Sequence, residues 1–403
     1  MQSQSRHFYT RFADSWKKDE ERISLLRYDP EVSTFDNAIL LPLRRRKDLP
    51  CKAFEGGVAN DKCRFITGVQ RSKKNYQLPF ACNKGYSVSE KRYIDEDVVF
   101  GGVIFGHFGH VIIDSCTRLW HYARHHNDGK KRVFLTTPET DFKYGRFFDI
   151  AGMDWEIVTE PTQYRSVTIP DEAFFSGDTG SAIWLEWWNF LKKKAYQAAN
   201  HSDLPEKIYM TRTKFSGNDG INEEYYEKYY QNLGYKVISP EKLPLDEQIC
   251  IISHTKSIVC TMGTLAHMLV FAEDGTDVTL LLRAPSTLMR SQITINLLRR
   301  LNWRCVEATI NPLPASQSNG AFLYAPTPEF KEYCHDFGLP EPPECKITPE
   351  MTVAYFKKWT DNYSKLLSWS YVQKATAIDF LESLSYFLTG TEINRETYKN
   401  YQQ

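Results

Sequence analysis

Charge of one sign is missing from this sequence: fifty Lys and Arg stand against fifty Asp and Glu, and the formal net charge is zero. That balance removes the electrostatic argument for nucleic acid as the main partner. Long apolar runs are missing too, since no stretch approaches the ~18 consecutive apolar residues of a spanning helix. The polar start, Met1-Gln2-Ser3-Gln4-Ser5-Arg6, has no signal-peptide apolar region. A cytoplasmic protein with at most peripheral membrane contact is therefore expected. For such contact Arg44-Arg45-Arg46-Lys47 is either the basic patch or simply a solvated loop. Cysteine is present but unpatterned. The nine residues (51, 63, 82, 116, 250, 260, 305, 334 and 345) are odd in number and form no Cys-x-x-Cys. They read as reduced thiols, which excludes a disulfide framework and a cysteine zinc site. There is no internal repeat and no low-complexity segment.

What is present is ordinary globular material. At 403 residues, 42% hydrophobic and 25% charged, the chain can bury a sizeable core in two or three domains. Aromatic content is 14%, which suits sugar stacking or plain core packing, and Trp184, Trp187 and Trp188 are open to both readings.

From Lys207 onward short apolar runs alternate with helical periods. Strands are expected at Ile208–Arg212, Tyr235–Ile238, Ser257–Cys260, Val278–Leu282 and Arg304–Glu307. Helices are expected at Glu223–Leu233, Asp246–His254, Thr264–Phe271 and Leu288–Leu301. Such alternation implies parallel strands with crossover helices, a doubly wound α/β sheet. A looser version occupies residues 98 to 205, with strands at Val98–Ile104, Arg132–Leu135 and Trp155–Val158 and a helix at Ala182–Ala198. The expected organisation is a Rossmann-like domain over 1–205 with an irregular start, a second over 206–312, and a proline-rich connector with a helical tail over 313–403. Two such α/β domains would face each other across a cleft.

The richest stretch for chemistry is Gly106-His107-Phe108-Gly109-His110-Val111-Ile112-Ile113-Asp114. At about 100° per residue His110, Asp114, Arg118, His121 and His125 share one arc of a helix. Ile112, Ile113, Cys116, Leu119, Trp120 and Ala123 occupy the other. His110 and Asp114, four apart, are neighbours on the helix surface. They form either an acid–base pair or part of a solvated polar face. His107, His110, His121, His125 and His126 are also potential metal ligands. A helix separates His110 from His121 by roughly 16 Å, however, so one compact site cannot use both ends. Asp95-Glu96-Asp97 has the Asp-x-Asp form of metal-dependent sugar transfer and equally that of an acidic turn.

In the second unit, Thr261-Met262-Gly263-Thr264 joins a strand to a helix, and free N–H groups there attract anions such as a diphosphate. Thr264 is suited to cap that helix or to add a phosphate contact. Arg212 and Lys214, just past the unit's first strand, fall at the same carboxyl edge, where α/β sheets bind ligands.

Together these residues resemble glycosyltransferase family 61. The first block runs from Gly106 to His110, Asp114 and Arg118-Leu119-Trp120. The second comprises Tyr209-Met210-Thr211-Arg212, Asn222-Glu223, Gly234-Tyr235, Pro240-Glu241 and Glu247-Gln248. The resemblance covers residues 95 to 285. It departs from the family at Met262–Met268, where of a His-Gly-Ala-Gly-Leu-x-Asn pattern only the first glycine remains and His267 stands further on. The resemblance implies a GT-B-like, inverting transferase that needs no metal or other cofactor. Its partners would be a nucleotide sugar and an oligosaccharide or lipid-linked glycan, in bacterial capsule or lipopolysaccharide assembly. His110 and Asp114 would be catalytic, with either as base. His107 and Arg118 would lie on the acceptor side. Arg212, Lys214, Asn222, Glu241, Gln248, Gly263, Thr264 and His267 would serve the donor. A metal-dependent hydrolase using the histidines, or a carbohydrate-binding protein of the same fold, remain as other classes.

Overall fold

The computed structural model describes residues 7–27, 29–45, 54–66, 88, 90–136, 140–175, 179–199, 204–285, 288–316, 320–362, 377–391, 393–394 and 396. The chain divides into two compact units, residues 24–199 and residues 1–23 with 200–403. Both are mixed α/β with parallel strands.

The chain starts with β1 (Phe8–Tyr9) and α1 (Ala13–Glu20), which belong with the C-terminal unit. The unit of residues 24–199 opens with β2 (Ser24–Leu26), β3 (Val32–Asp36), β4 (Ile39–Arg45) and β5 (Phe54–Ala59). Four further strands are β6 (Arg92–Ile104), β7 (Arg132–Thr136), β8 (Trp155–Ile157) and β9 (Thr162–Pro170). Strands β3 to β9 form a seven-stranded sheet in the order β5-β4-β9-β6-β7-β8, with β3 paired to β9. The part β9-β6-β7-β8 is parallel, as the expected strands at 98–104, 132–135 and 155–158 require. Beyond it, β3, β4 and β5 add an antiparallel arm. The irregular early residues thus extend this sheet, because β9 offers a free edge to β3 and β4. Alternating apolar residues such as Val98, Phe100, Val133, Leu135, Val167 and Ile169 fill its core. Two short strands, β10 (Phe174–Phe175) and β11 (Thr179–Ser181), join β2 in a small separate sheet. Trp184, Trp187 and Trp188 on the helix Trp184–Ala198 are fully buried, so they are core and present no sugar platform.

The C-terminal unit follows the expected alternation closely. Its strands are β12 (Lys207–Met210), β13 (Gly220–Ile221), β14 (Lys236–Ile238), β15 (Ser257–Thr261), β16 (Asp277–Leu282), β17 (Asn302–Glu307) and β18 (Phe322–Leu323). The main sheet runs β1-β17-β16-β15-β12-β14, parallel throughout. Counting β12 as first, the unit's own order is 2-1-3-4-5, a doubly wound sheet whose order reverses between β12 and β15. Helices Glu224–Asn232, Leu245–His254 and Arg290–Leu298 connect it.

Three differences from the expected organisation have physical causes. Residues 1–23 leave the first unit because β1 completes the β17 edge, Phe8 opposite Cys305, and Tyr9 packs on Tyr333. A two-residue strand carries no periodicity to read. The segment 313–403 forms no separate body. Its helix Pro349–Asp361 buries Tyr355 in a cluster that Ile221 and Ile310 of the preceding chain pack against, within the C-terminal unit. The segment Thr264–Phe271, expected as an α-helix, is a 3₁₀-helix that begins with Ala266 N–H on Gly263 O at 3.0 Å. Most of its residues are buried, and packing rather than amphipathic pattern sets its pitch.

Cys116, Cys250, Cys260, Cys305 and Cys334 are free buried thiols; Cys51 and Cys82 lie outside the described residues. Arg44 pairs with Glu55, Arg45 lies over the Phe54 ring, and Arg46 and Lys47 are likewise outside the described residues. Among the described residues no helix is long and apolar enough to cross a membrane.

Candidate functional site

The histidine stretch does not form one continuous helix. His107 precedes a single α-turn, Phe108–His110, which passes into a π-turn over Val111–Ser115, closed by Cys116 N–H on Val111 O at 3.1 Å. A second short helix, Trp120–His125, then begins. Inserted π-turns shift every later side chain around the axis. The single polar arc therefore breaks after Asp114. Arg118 and His121, expected beside the acid–base pair on a solvated face, are buried.

Within the π-turn, Nδ1 of His110 meets Oδ2 of Asp114 at 2.6 Å. The imidazole is 45% exposed and the carboxylate 4%. With Nδ1 engaged, Nε2 is the ring nitrogen left to exchange a proton. His107 is exposed with its ring 5.3 Å from that of His110, and Phe105 lies on the other side at 5.8 Å. Arg118 is tied inward, donating to Pro170 O and pairing with Glu172 at 3.5 Å, so it fastens the turn to the end of β9.

The remaining metal candidates are otherwise engaged. Asp95 and Asp97 both pair with Arg165, at 3.3 and 2.9 Å, and Arg165 and Ser166 hold the Asp97 carboxyl down at about 2. His121 sits in the interior with His125 and the Arg132 cation beside it, and burial pushes it down to about 4. A neighbouring guanidinium opposes a bound cation there. Among the described residues no three His, Cys, Asp or Glu side chains are placed to hold a metal.

In the C-terminal unit the carboxyl ends of β12, β15 and β16 adjoin at the point where strand order reverses. The segment after β12 is held by two carboxylates from the next helix. Glu223 Oε1 accepts the Arg212 N–H at 3.1 Å, while Glu227 Oε1 accepts the hydroxyls of Thr211 and Thr213. Arg212 is half-buried with its guanidinium 4.7 Å from the Phe215 ring, and Lys214 is exposed in the loop beyond. After β15, Gly263 takes φ +146°, in the region that only glycine occupies readily. Thr264 opens the 3₁₀-helix, whose start has no side-chain cap.

Sequence reasoning missed Arg283 at the end of β16. Its guanidinium lies over Gly263, with Nη2 where a Cβ would clash, and Nε donates to Met262 O at 2.8 Å. Burial, then the Arg212 cation, push Arg283 down to about 10. Glu223 is pushed up to about 7 by burial, against the pull of the Arg212 amide and of both guanidinium groups. The available signal was an arginine ending an otherwise apolar strand, Leu280-Leu281-Leu282-Arg283.

Of the other expected donor residues, Asn222, Gln248 and His267 have structural engagements. Asn222 adopts φ +68°, and its Nδ2 donates to Tyr324 O at 2.9 Å and to Cys345 Sγ at 3.3 Å. Gln248 donates to Leu243 O at 2.8 Å, within its own helix start. Glu241 is exposed on a single turn after β14. His267 is buried against the helix Arg290–Leu298, where its Nδ1 donates to Gln292 Oε1 at 2.8 Å and Gln292 donates onward to Asn296.

Residues 108–279 match the family model described as Glycosyltransferase 61, a span that holds both the His110–Asp114 pair and the Arg212 and Gly263 loops. No curated protein matches the chain. Among solved structures the chain is similar to the dodecameric iron-containing heptosyltransferase TibC in complex with ADP-D-beta-D-heptose. That likeness has 9% identity, covers 67% of this chain and 84% of the other, and at a TM-score of 0.25 carries no argument. The family match supports glycosyltransferase as the enzyme class of this chain.

Proposed function

We propose that the protein transfers a sugar from a nucleotide-sugar donor to a glycan hydroxyl by a single inverting displacement, as a GT-B-like enzyme. The observation that carries this reading is the half-exposed His110 imidazole backed at 2.6 Å by the buried Asp114 carboxylate, inside the segment that matches a glycosyltransferase family. His110 Nε2 takes the acceptor proton, the acceptor oxygen bonds to the anomeric carbon, and the bond from that carbon to the diphosphate breaks. Asp114 orients the ring and stabilises the imidazolium. The burial of Asp114 beneath the ring supports the reading of Asp114 as the supporting group and His110 as the base. Arg212 and the Gly263–Thr264 amides would receive the charge that develops on the leaving diphosphate, the role a cation fills elsewhere. Metal independence is supported by this cationic edge and by the engagement of Asp95 and Asp97 with Arg165. A place in bacterial surface-polysaccharide assembly is the reading that the sequence resemblance supports.

The test is a thermal-shift screen of nucleotide sugars on the full chain, followed by transfer to glycan acceptors with NMR assignment of the anomeric product. A ligand bound only by the native state raises the melting temperature. Inverted product from a stabilising donor is expected. Retained configuration, or stabilisation without transfer to any acceptor, overturns the mechanism in favour of a double displacement or a binding protein.

A further inference from the structure

Arg283 has no part in the family blocks quoted above, yet it is a deeply placed cation at the reversal point of the C-terminal sheet, only 6% exposed. Its guanidinium is fixed by Met262 O on one side and faces the Phe322 ring at 4.9 Å. It occupies the space a side chain at position 263 would need. The glycine thus has two jobs: it permits φ +146° and it leaves room for a cation directly behind the loop. A further observation points to an anion: the buried Nε of Arg212 has no hydrogen-bond partner among the described residues. The Oε2 of Glu223, on a residue 1% exposed, has none among them either, and it meets an anion favourably only when protonated, the form that burial favours. Of the nearby carboxylates, Asp219 pairs with Lys358 at 3.6 Å, and Glu227 is occupied by the hydroxyls of Thr211 and Thr213. Both guanidinium groups act on the buried Glu223 carboxyl, which burial disfavours in its charged form, and Asp219 acts on Arg283 as well. Two cations thus meet at this edge in a poorly solvated place, where a fixed charge acts strongly on a bound anion.

We infer that Arg283 is the second cation of an anion site at this edge, acting from beneath Gly263, and that the site's ligand is a diphosphate. The inference rests on the donor-side reading given above and names the charge that completes it. Arg212 approaches from the end of β12 and Arg283 from the end of β16, with the Gly263 backbone on β15 between them. Arg283 is here a positioning and charge-supplying residue, since the glycine backbone covers it.

The experiment uses the full chain with inorganic pyrophosphate and, separately, a nucleoside diphosphate, measured by calorimetry at two ionic strengths. Arg283→Gln is expected to weaken both ligands roughly tenfold or more and to flatten the salt dependence. Arg283→Lys, which keeps the charge, is expected to recover most of the affinity. Lys256→Gln, which removes a cation paired with Glu206 at the opposite end of β15, is the control and is expected to leave affinity unchanged. Wild-type affinity in Arg283→Gln, or equal loss in the Lys and Gln variants, overturns the inference. If the Gln variant does not fold, hydrogen exchange on the wild type decides. Pyrophosphate is expected to protect the amides of residues 262–265, and unchanged exchange there overturns the inference. The outcomes separate from those of the proposed function. Arg283-dependent pyrophosphate binding without sugar transfer sinks the function alone, and transfer with Arg283-independent affinity sinks this inference alone. A wild type that binds neither ligand sinks both.

Discussion

The imidazole of His110 covers the carboxylate of Asp114, Nδ1 to Oδ2 at 2.6 Å, so that one group is half-exposed and the other is buried beneath it. A pair arranged this way works as a unit. His110→Ala and Asp114→Asn are each expected to cut transfer by about 10²-fold or more. The double variant should be little worse than the poorer single. Donor affinity should survive in all three. Because Asp114 is buried, Asn is the substitution of choice; it keeps the shape and an acceptor for the ring N–H. Near wild-type transfer by folded variants would remove both residues from the mechanism.

Arg212→Ala should act on the donor. Loss of a charge-assisted contact of ~1.5–3 kcal/mol corresponds to roughly ten- to a hundredfold in kcat/KM. The Arg212 amide still donates to Glu223 in the variant, so the loop should keep its course and the melting temperature should change little. Steady-state kinetics with varied donor check this; unchanged values place the phosphate elsewhere.

Transfer should persist in excess chelator, because Arg212 and the Gly263 edge supply positive charge to the leaving group. The measurement is initial rate with and without EDTA. Complete loss, restored by Mn²⁺ or Mg²⁺, would bring Asp95 and Asp97 back as ligands and require Arg165 to release them.

His121 ties stability to acid. Burial, followed by His125 and Arg132, holds its folded pKa at about 4, below the ordinary 6.5. Between those values the unfolded chain binds more protons, so this contribution to stability is present above about pH 6.5 and is lost as pH falls toward 4. His121→Gln should therefore lose fewer degrees of melting temperature between pH 7 and pH 5 than the wild type, by a few degrees at about 2–4 °C per kcal/mol. Parallel melting curves would show His121 to be neutral in this respect.

Glu223 has the opposite sign. Its folded pKa of about 7 lies above the ordinary 4.5, so the folded state binds more protons in that window, and stability is lost as pH rises through it. Glu223→Gln should flatten the decline in melting temperature between pH 5 and pH 8 while leaving the Arg212 N–H its acceptor. An unaltered pH slope in the variant assigns the decline to Glu307, whose buried carboxyl is also pushed up to about 7.

The strand–helix alternation of residues 207–307 was written in the sequence because each parallel strand is an apolar run and each crossover helix has its own period. The strands at 98–104, 132–135 and 155–158 were legible for the same reason. So was the His110–Asp114 neighbourhood, since a spacing of four puts side chains together on either an α- or a π-turn. Tertiary structure alone decided the rest. The π-turn at Val111–Ser115 broke the projected arc and sent Arg118 and His121 inward, because packing of Ile112, Ile113 and Cys116 governs the pitch there. The partners of Asn222 and His267 come from segments distant in sequence that no local pattern reveals. Arg283 is 71 residues from Arg212 in sequence. Sheet order brings the two strands that carry them to either side of β15, and so a charge pair at one edge is a property of topology, while the residues that form it are a property of sequence.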